Sequence, residues 1–203
     1  IEKHLGKDTI IVLTGQRRVG KSYTLRMIRD LKSKDENNNV IYVDKEKKAF
    51  DHIKTYQDLN AYIDAHYQVG KMNYILIDEI QEIEEFERTV RSYRTEPDAE
   101  VIVTGSNAKM LSRDIATTLG ARYLDEKVFP YSFREYMEAQ GVSLGKEWMY
   151  GKQRNTIQQM MTTYFRWGGF PELLMYRNKR HWLNGLYEKI ILGDVIQRNG
   201  IKN

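Results

Sequence analysis

Gly15, Gly20, Lys21 and Ser22 stand at the spacing G-x-x-x-x-G-K-S/T within Gly15-Gln16-Arg17-Arg18-Val19-Gly20-Lys21-Ser22. Those residue types at that spacing suit a polyphosphate. Glycines let the backbone curl until its N–H groups surround phosphate oxygens, and a helix starting directly behind the loop adds its positive end. An amine at Lys21 then reaches the β- and γ-phosphates, and the Ser22 hydroxyl is offered to a magnesium ion. The candidate nucleotide-binding residues are Gly15, Gln16, Arg17, Arg18, Val19, Gly20, Lys21, Ser22 and Tyr23. For Arg17 and Arg18 at the loop tip, contact with phosphate or with a neighbouring subunit competes with simple solvation.

A second constellation is the apolar run Tyr74-Ile75-Leu76-Ile77 ending in Asp78-Glu79. In an open α/β sheet, ligands bind outside the carboxyl ends of the strands, so an acid there lies beside the phosphate loop. Asp78 is then a second magnesium ligand with Ser22, directly or through water. Glu79 is expected to orient or deprotonate the attacking water. The plainer alternative is a strand that ends in a charged turn. The string Thr104-Gly105-Ser106-Asn107 puts small polar side chains at the same sheet edge. Two roles are open to Ser106 and Asn107: hydrogen bonding to the γ-phosphate or lytic water, and capping a helix that begins near Ala108. Charge on a transferred phosphoryl group commonly calls for an arginine. Arg113 and Arg122 are the candidates, with surface solvation the alternative for each.

The elements that must hold these groups read as alternating strands and helices. Thr9 to Thr14 is short, β-branched and apolar on both faces, which predicts a central parallel strand. Leu25, Ile28 and Leu31 recur behind the loop at helical spacing. Further strands are expected at Val40–Val43, Tyr74–Ile77, Val101–Val103 and Tyr123–Val128. Helices are expected at Tyr56–Tyr67, with Leu59, Tyr62, Ile63 and His66 on one face, at Glu84–Arg94, and at Ala108–Leu119. The acidic run Glu82, Glu84, Glu85, Glu87 reads as a helix start favoured by its dipole. Right-handed crossovers then give a parallel α/β sheet. From Pro130 the pattern turns helical, with segments at Ser132–Gln140, Thr156–Trp167 and Lys179–Arg198. The expected domains are a nucleotide-binding core over residues 1–129 and a helical lid subdomain over 130–203.

Composition narrows the class. A chain of 203 residues can bury a full core, and no apolar run approaches the roughly 20 residues that cross a bilayer, so a cytoplasmic protein without membrane contact is expected. Cysteine is absent, which removes disulfides and thiolate metal sites. A net charge of +4 suits an anionic ligand but is too mild to specify nucleic acid. The chain opens at Ile1 with no signal-peptide pattern, which reads as a fragment of a longer protein. His4, His52, His66 and His181 lack metal-ligand spacing, so no zinc is expected. In the tail, Arg154, Arg166, Lys179 and Arg180 alternate with Tyr164, Phe165, Trp167 and Trp182. Such mixing can bind single strands, and it equally describes an aromatic core with a solvated basic face.

A guanine-selective Asn-Lys-x-Asp motif is not met, because Asn178-Lys179-Arg180 is followed by His181, so ATP is the expected nucleotide. Glu79 favours water over a small-molecule acceptor. The chemistry expected is magnesium-dependent hydrolysis of ATP to ADP and phosphate, driving a conformational change. Two rivals use the same motifs: a regulatory switch with slow turnover, and a motor stimulated by DNA.

The chain resembles the AAA+-like ATPases of bacteria and archaea in which a P-loop ATPase core precedes a C-terminal domain similar to restriction-endonuclease folds. The resemblance rests on the loop above, Ile77-Asp78-Glu79-Ile80-Gln81, Thr104-Gly105-Ser106-Asn107, Phe129-Pro130-Tyr131-Ser132-Phe133-Arg134-Glu135-Tyr136, Gly168-Gly169-Phe170-Pro171-Glu172 and Asp194-Val195-Ile196-Gln197-Arg198. The Pro-x-Ser-Phe-x-Glu and Gly-Gly-x-Pro-Glu blocks are its specific part. It implies a three-layer P-loop fold of the additional-glutamate class, with the Asp78 strand beyond the sensor strand and a helical lid over the nucleotide. It also implies that Arg122 acts across a subunit boundary of a homo-oligomer, and that DNA or a protein partner is reached through the C-terminal domain.

Overall fold

Ile10-Ile11-Val12-Leu13-Thr14 forms β1 (Ile10–Thr14) and is buried at every residue. Branched side chains suit such a strand because they pack well on a pleated surface covered on both faces. The computed structural model describes residues 9–105, 123–143 and 153–190. Among these, β1 is followed by α1 (Lys21–Lys32), β2 (Asn38–Asp44), α2 (Tyr56–His66), β3 (Met72–Asp78), α3 (Phe86–Arg94), β4 (Ala99–Thr104) and β5 (Tyr123–Lys127). Then come α4 (Phe133–Glu138), α5 (Arg154–Trp167) and α6 (Lys179–Glu188).

All the strand pairings are parallel, in the order β2-β3-β4-β1-β5. The phosphate-loop strand therefore lies inside the sheet, and β3 lies beyond β4, as the resemblance implies. Successive side chains alternate between two faces. Ile10, Val12, Ile75, Ile77, Val101 and Val103 pack with Leu59 and Ile63 of α2 and Phe86, Val90 and Tyr93 of α3. Ile11, Leu13, Leu76 and Ile102 pack with Leu25 and Ile28 of α1. The result is the expected α/β architecture, a parallel sheet between helical layers.

The chain divides into two compact units, Ile1–Gln16 with Gly20–Val128, and Arg17–Val19 with Phe129–Asn203. In the second, Ser132 caps α4 by accepting from the Glu135 N–H, while the Glu135 carboxylate accepts from the Ser132 N–H at 2.7 Å. This reciprocal arrangement satisfies two donors that a helix start otherwise leaves open. The two blocks that the resemblance singles out pack against each other here. Tyr131 N–H donates to the Gly169 carbonyl at 2.7 Å, and the Tyr164 hydroxyl donates to the Tyr131 carbonyl at 2.8 Å. A side chain at Gly169 would collide with the Tyr131 carbonyl oxygen. Leu173, Trp182 and Leu186 form a small separate core.

Several expectations shift. Helix α3 begins at Phe86 rather than Glu84, because Glu84 pairs as a bridge with Thr55 and its backbone bonds Lys54 and Tyr56. Of the acidic run, Glu82 closes a 3₁₀ turn, Glu85 takes a left-handed φ of 54°, and only Glu87 lies in the first turn of α3. His66 is exposed rather than on the buried face of α2. The helices expected at Ala108–Leu119 and beyond Ile190 lie outside the described residues. Among the described residues, no helix is long and apolar enough to cross a membrane.

Candidate active site

The loop between β1 and α1 turns on residues with positive φ: Gly15 at 148°, Arg18 at 65° and Gly20 at 106°. Gly20 is the residue before α1, in the left-handed region, where a side chain would be strained. The turn leaves Lys21 and Ser22 as the first residues of α1, at its positive end, with no acid in the first turn. Lys21 is only 5% exposed, and its Nζ donates to the carbonyls of Gly15 at 3.1 Å and Gln16 at 3.0 Å. The amine thus closes over the loop that it belongs to.

Ser22 and Asp78 meet across the sheet edge. The Ser22 hydroxyl donates to Asp78 Oδ1 at 3.1 Å, and the Thr104 hydroxyl donates to the same oxygen. Asp78 is 1% exposed, yet its Oδ2 has no hydrogen-bond partner among the described residues. A buried carboxylate oxygen without a donor is costly unless something positive meets it. Burial pushes the Asp78 carboxyl above the usual carboxylate range. The Thr104 and Ser22 hydrogen bonds oppose this, and the charges of Asp44 and Glu79 add to it. An oxygen donor set of Ser22 Oγ and Asp78 Oδ2 fits magnesium, a hard cation that takes few protein ligands and keeps several waters.

Glu79 follows in a left-handed conformation, φ 54° and ψ 51°. Its N–H donates to Thr104 Oγ1 at 3.0 Å, and its Oε2 accepts from the Gln81 amide. Thr104, fully buried, therefore ties Asp78 and Glu79 to the end of β4. The sequence puts it at this sheet edge within Thr104-Gly105-Ser106-Asn107, with a role suggested there only for Ser106 and Asn107. Asp44 was missed. It ends β2 as Asp78 ends β3, in the same register position, and is 6% exposed. The surrounding groups feel this negative charge. The Tyr42 hydroxyl is pushed well up by burial and then by Asp78 and Asp44. The Glu46 carboxyl is raised by burial and then by Glu79, Asp78 and Asp44.

The remaining expected residues fall in different places. Val19 is buried, Arg17 half-buried and Gln16 exposed, and Tyr23 stands 64% exposed on the outer side of α1. Arg18 belongs to the second unit, where it donates to Glu172 at 2.8 Å and lies over the Trp182 ring at 5.5 Å. Trp182 Nε1 donates to the same Glu172 oxygen at 3.0 Å. Ser106, Asn107, Arg113 and Arg122 lie outside the described residues. Lys21, Ser22, Asp78 and Glu79 thus share one sheet edge, joined by Thr104. Among the described residues, no group of three or more His, Cys, Asp or Glu could hold a metal ion.

This geometry can be set beside known proteins. The chain is 32% identical over 97% of its length to an uncharacterized protein of Haemophilus influenzae, covering 48% of that protein. It is 27% identical over its whole length to an uncharacterized protein of Methanocaldococcus jannaschii, covering 45% of it. The chain thus spans about half the length of these relatives. Among solved structures, the Drosophila ORC bound to DNA is similar with a TM-score of 0.50 at 12% identity, over 95% of this chain and 61% of that one. The S. cerevisiae Hsp104:casein complex has a TM-score of 0.50 at 12% identity, over 86% of this chain and 33% of that one. At that identity the likeness is one of fold. The family model described as AAA domain matches residues 7–137, well over half of the chain, and this chain belongs to that family, on an AAA+-like P-loop ATPase fold.

Proposed function

We propose that this chain binds ATP with magnesium and hydrolyses it to ADP and phosphate, using the change to drive a conformational step. The observation that carries this reading is the buried Asp78 Oδ2, which has no hydrogen-bond partner among the described residues and sits on the carboxylate that the Ser22 hydroxyl bonds. A hard cation suits that oxygen, and a loop built for phosphate begins beside it. Magnesium, when bound, neutralises charge on the phosphate oxygens. Ser22 and Asp78 would hold it. Lys21 exchanges its loop carbonyls for phosphate oxygens, and the loop N–H groups bind the rest. Glu79 orients the attacking water and takes its proton as the water oxygen bonds the γ-phosphorus and the bond from that phosphorus to the β–γ bridging oxygen breaks, releasing ADP. Ser106 and Asn107 sense the γ-phosphate, and Arg122 of a neighbouring copy stabilises the charge that develops on it. Residues 130–203 serve as a lid.

One contact favours the second reading, a nucleotide-held switch with slow turnover. The Glu79 carboxylate accepts from Gln81, and a base engaged in this way is less free to meet water. Steady-state Mg-ATP hydrolysis against protein concentration tests both, with Glu79→Gln as the blank. Specific activity that rises with concentration and vanishes in Glu79→Gln supports hydrolysis at a site completed between copies. Tight nucleotide binding with turnover no faster than the blank supports the switch. Loss of neither binding nor turnover in Lys21→Ala removes the proposed site altogether.

A further inference from the structure

Strands β2 and β3 pair in parallel with Asp44 directly opposite Asp78. Neighbouring strands lie about 4.8 Å apart, so the two backbones bring these acids to one end of the sheet together. Both are nearly excluded from water, at 6% and 1% exposure. Like charges side by side in such a place repel strongly unless a cation offsets them. Around Asp44, that cation is Lys47, whose Nζ lies 3.4 Å from Oδ2 and whose side chain is 53% exposed. Asp44 Oδ1 accepts from the Glu46 N–H at 3.2 Å, and Oδ2 accepts from the Tyr42 hydroxyl at 3.3 Å. A carboxylate has about four acceptor sites, so these donors with Lys47 leave one open. On the other strand, Asp78 Oδ2 has no hydrogen-bond partner among the described residues.

We propose that Asp44 is a positioning residue for the divalent cation, a second carboxylate that accepts a hydrogen bond from cation-bound water beside Asp78. The inference rests on the reading of Ser22 and Asp78 as the magnesium site. A role through water rather than direct ligation follows from two facts. The acids among the described residues do not converge as a group of three ligands. Magnesium also keeps several waters, each of which needs an acceptor for its protons. Lys47 competes with that water for the same carboxylate, so the pair sets how strongly the site demands the cation.

A fluorescent ATP analogue, titrated with magnesium on the full 203-residue chain, tests this. Asp44→Asn keeps the Oδ1 acceptor that the Glu46 N–H needs and removes the charge. It is expected to raise the half-saturating magnesium concentration by about 10-fold. Nucleotide affinity in EDTA should stay the same or tighten, and the rise in Tm on adding magnesium with nucleotide should shrink. Lys47→Ala should shift half-saturation the opposite way, by about 2-fold, and should do nothing in the Asp44→Asn background. A half-saturation unchanged in Asp44→Asn overturns the proposal, and so does a loss of stability equal with and without magnesium, which would mark a purely structural residue. If wild type shows no magnesium dependence, or Ser22→Ala leaves it intact, the underlying reading of the site falls too. If Ser22→Ala abolishes the dependence while Asp44→Asn does not touch it, only the role of Asp44 falls.

Discussion

In the first unit, alternate residues of the sheet strands pass to opposite faces and meet helices on each, so that side chains such as Ile10, Leu13, Ile75 and Leu76 lose contact with water altogether. Among the described residues of the second unit, the buried side chains are Leu173, Trp182 and Leu186 in one cluster with Val19, Tyr136, Met137 and Ile157 besides, while Phe165, Met175, Tyr176 and Tyr187 remain exposed. Its described order depends more on particular contacts, among them the Ser132–Glu135 cap and the Phe133, Tyr136 and Tyr164 rings at 5.3 to 6.4 Å. Apolar burial scales with area, whereas hydrogen bonds and edge contacts each add little. The sheet unit therefore carries the larger described core, and it holds Lys21, Ser22, Asp78 and Glu79. The helical unit has less to lose on loosening.

The sharpest way to break this contrast is a pair of truncations. Leu76→Ala should cost about 3 to 5 kcal/mol, because a fully buried position between sheet and helix cannot collapse around the void. Leu186→Ala should cost about 2 to 3 kcal/mol and leave magnesium-nucleotide affinity nearly intact. Chemical denaturation followed by far-UV CD checks both, and equal losses of stability and affinity in the two variants would erase the distinction.

Next comes Thr104→Val, which keeps the volume and removes the hydroxyl shared by Asp78 and the Glu79 N–H. It should cost about 1 to 3 kcal/mol, since the Glu79 N–H loses this acceptor and the buried Asp78 Oδ1 keeps only Ser22 of its two donors. It should also weaken turnover more than nucleotide binding, and a variant with wild-type turnover would show that Glu79 does not need this tether. Ser132→Ala, a cap on the second unit, should cost about 1 kcal/mol by the same denaturation assay.

The smallest effect is on pH dependence. Among the described residues, each unit has one reciprocal cap, Thr55 with Asp58 on α2 and Ser132 with Glu135 on α4. Backbone N–H groups of Lys54 and Thr55 hold the Asp58 carboxyl below its usual range, and the Ser132 N–H does the same for Glu135. An acid whose pKa is lowered by folding contributes stability above its unfolded pKa and loses that contribution as pH falls through the folded one. Melting curves from pH 7 downward should therefore show stability lost below the ordinary carboxylate range. Asp58→Asn and Glu135→Gln should flatten that loss, and unchanged curves would count against the caps.

Much of the sheet unit was readable in advance because its signals are local. A run such as Tyr74 to Ile77 followed by Asp78-Glu79 announces both a buried strand and the acids at its end, and the Gly15-to-Ser22 spacing announces the loop. What escaped was set by pairing between segments. Asp44 looks like an ordinary polar residue at the end of a strand until the register with β3 places it beside Asp78. Thr104 is one small residue among several until its hydroxyl is seen on Asp78. Glu84 belonged to a helical pattern by composition, but Thr55, far away in sequence, recruits its backbone. The left-handed turn at Glu79 had no glycine to advertise it.

The close approach at Gly169 has a consequence for how sequences of this kind can drift. The Tyr131 carbonyl accepts the Tyr164 hydroxyl and stands where a Cβ at residue 169 would be, and the Tyr164 ring is within 3.0 Å of that same point. A substitution there has to displace main chain rather than a compliant side chain. The Pro130-Tyr131-Ser132 stretch, Tyr164 and the Gly168-Gly169 turn are consequently coupled as one mechanical part, and a change in one is expected to need changes in the others.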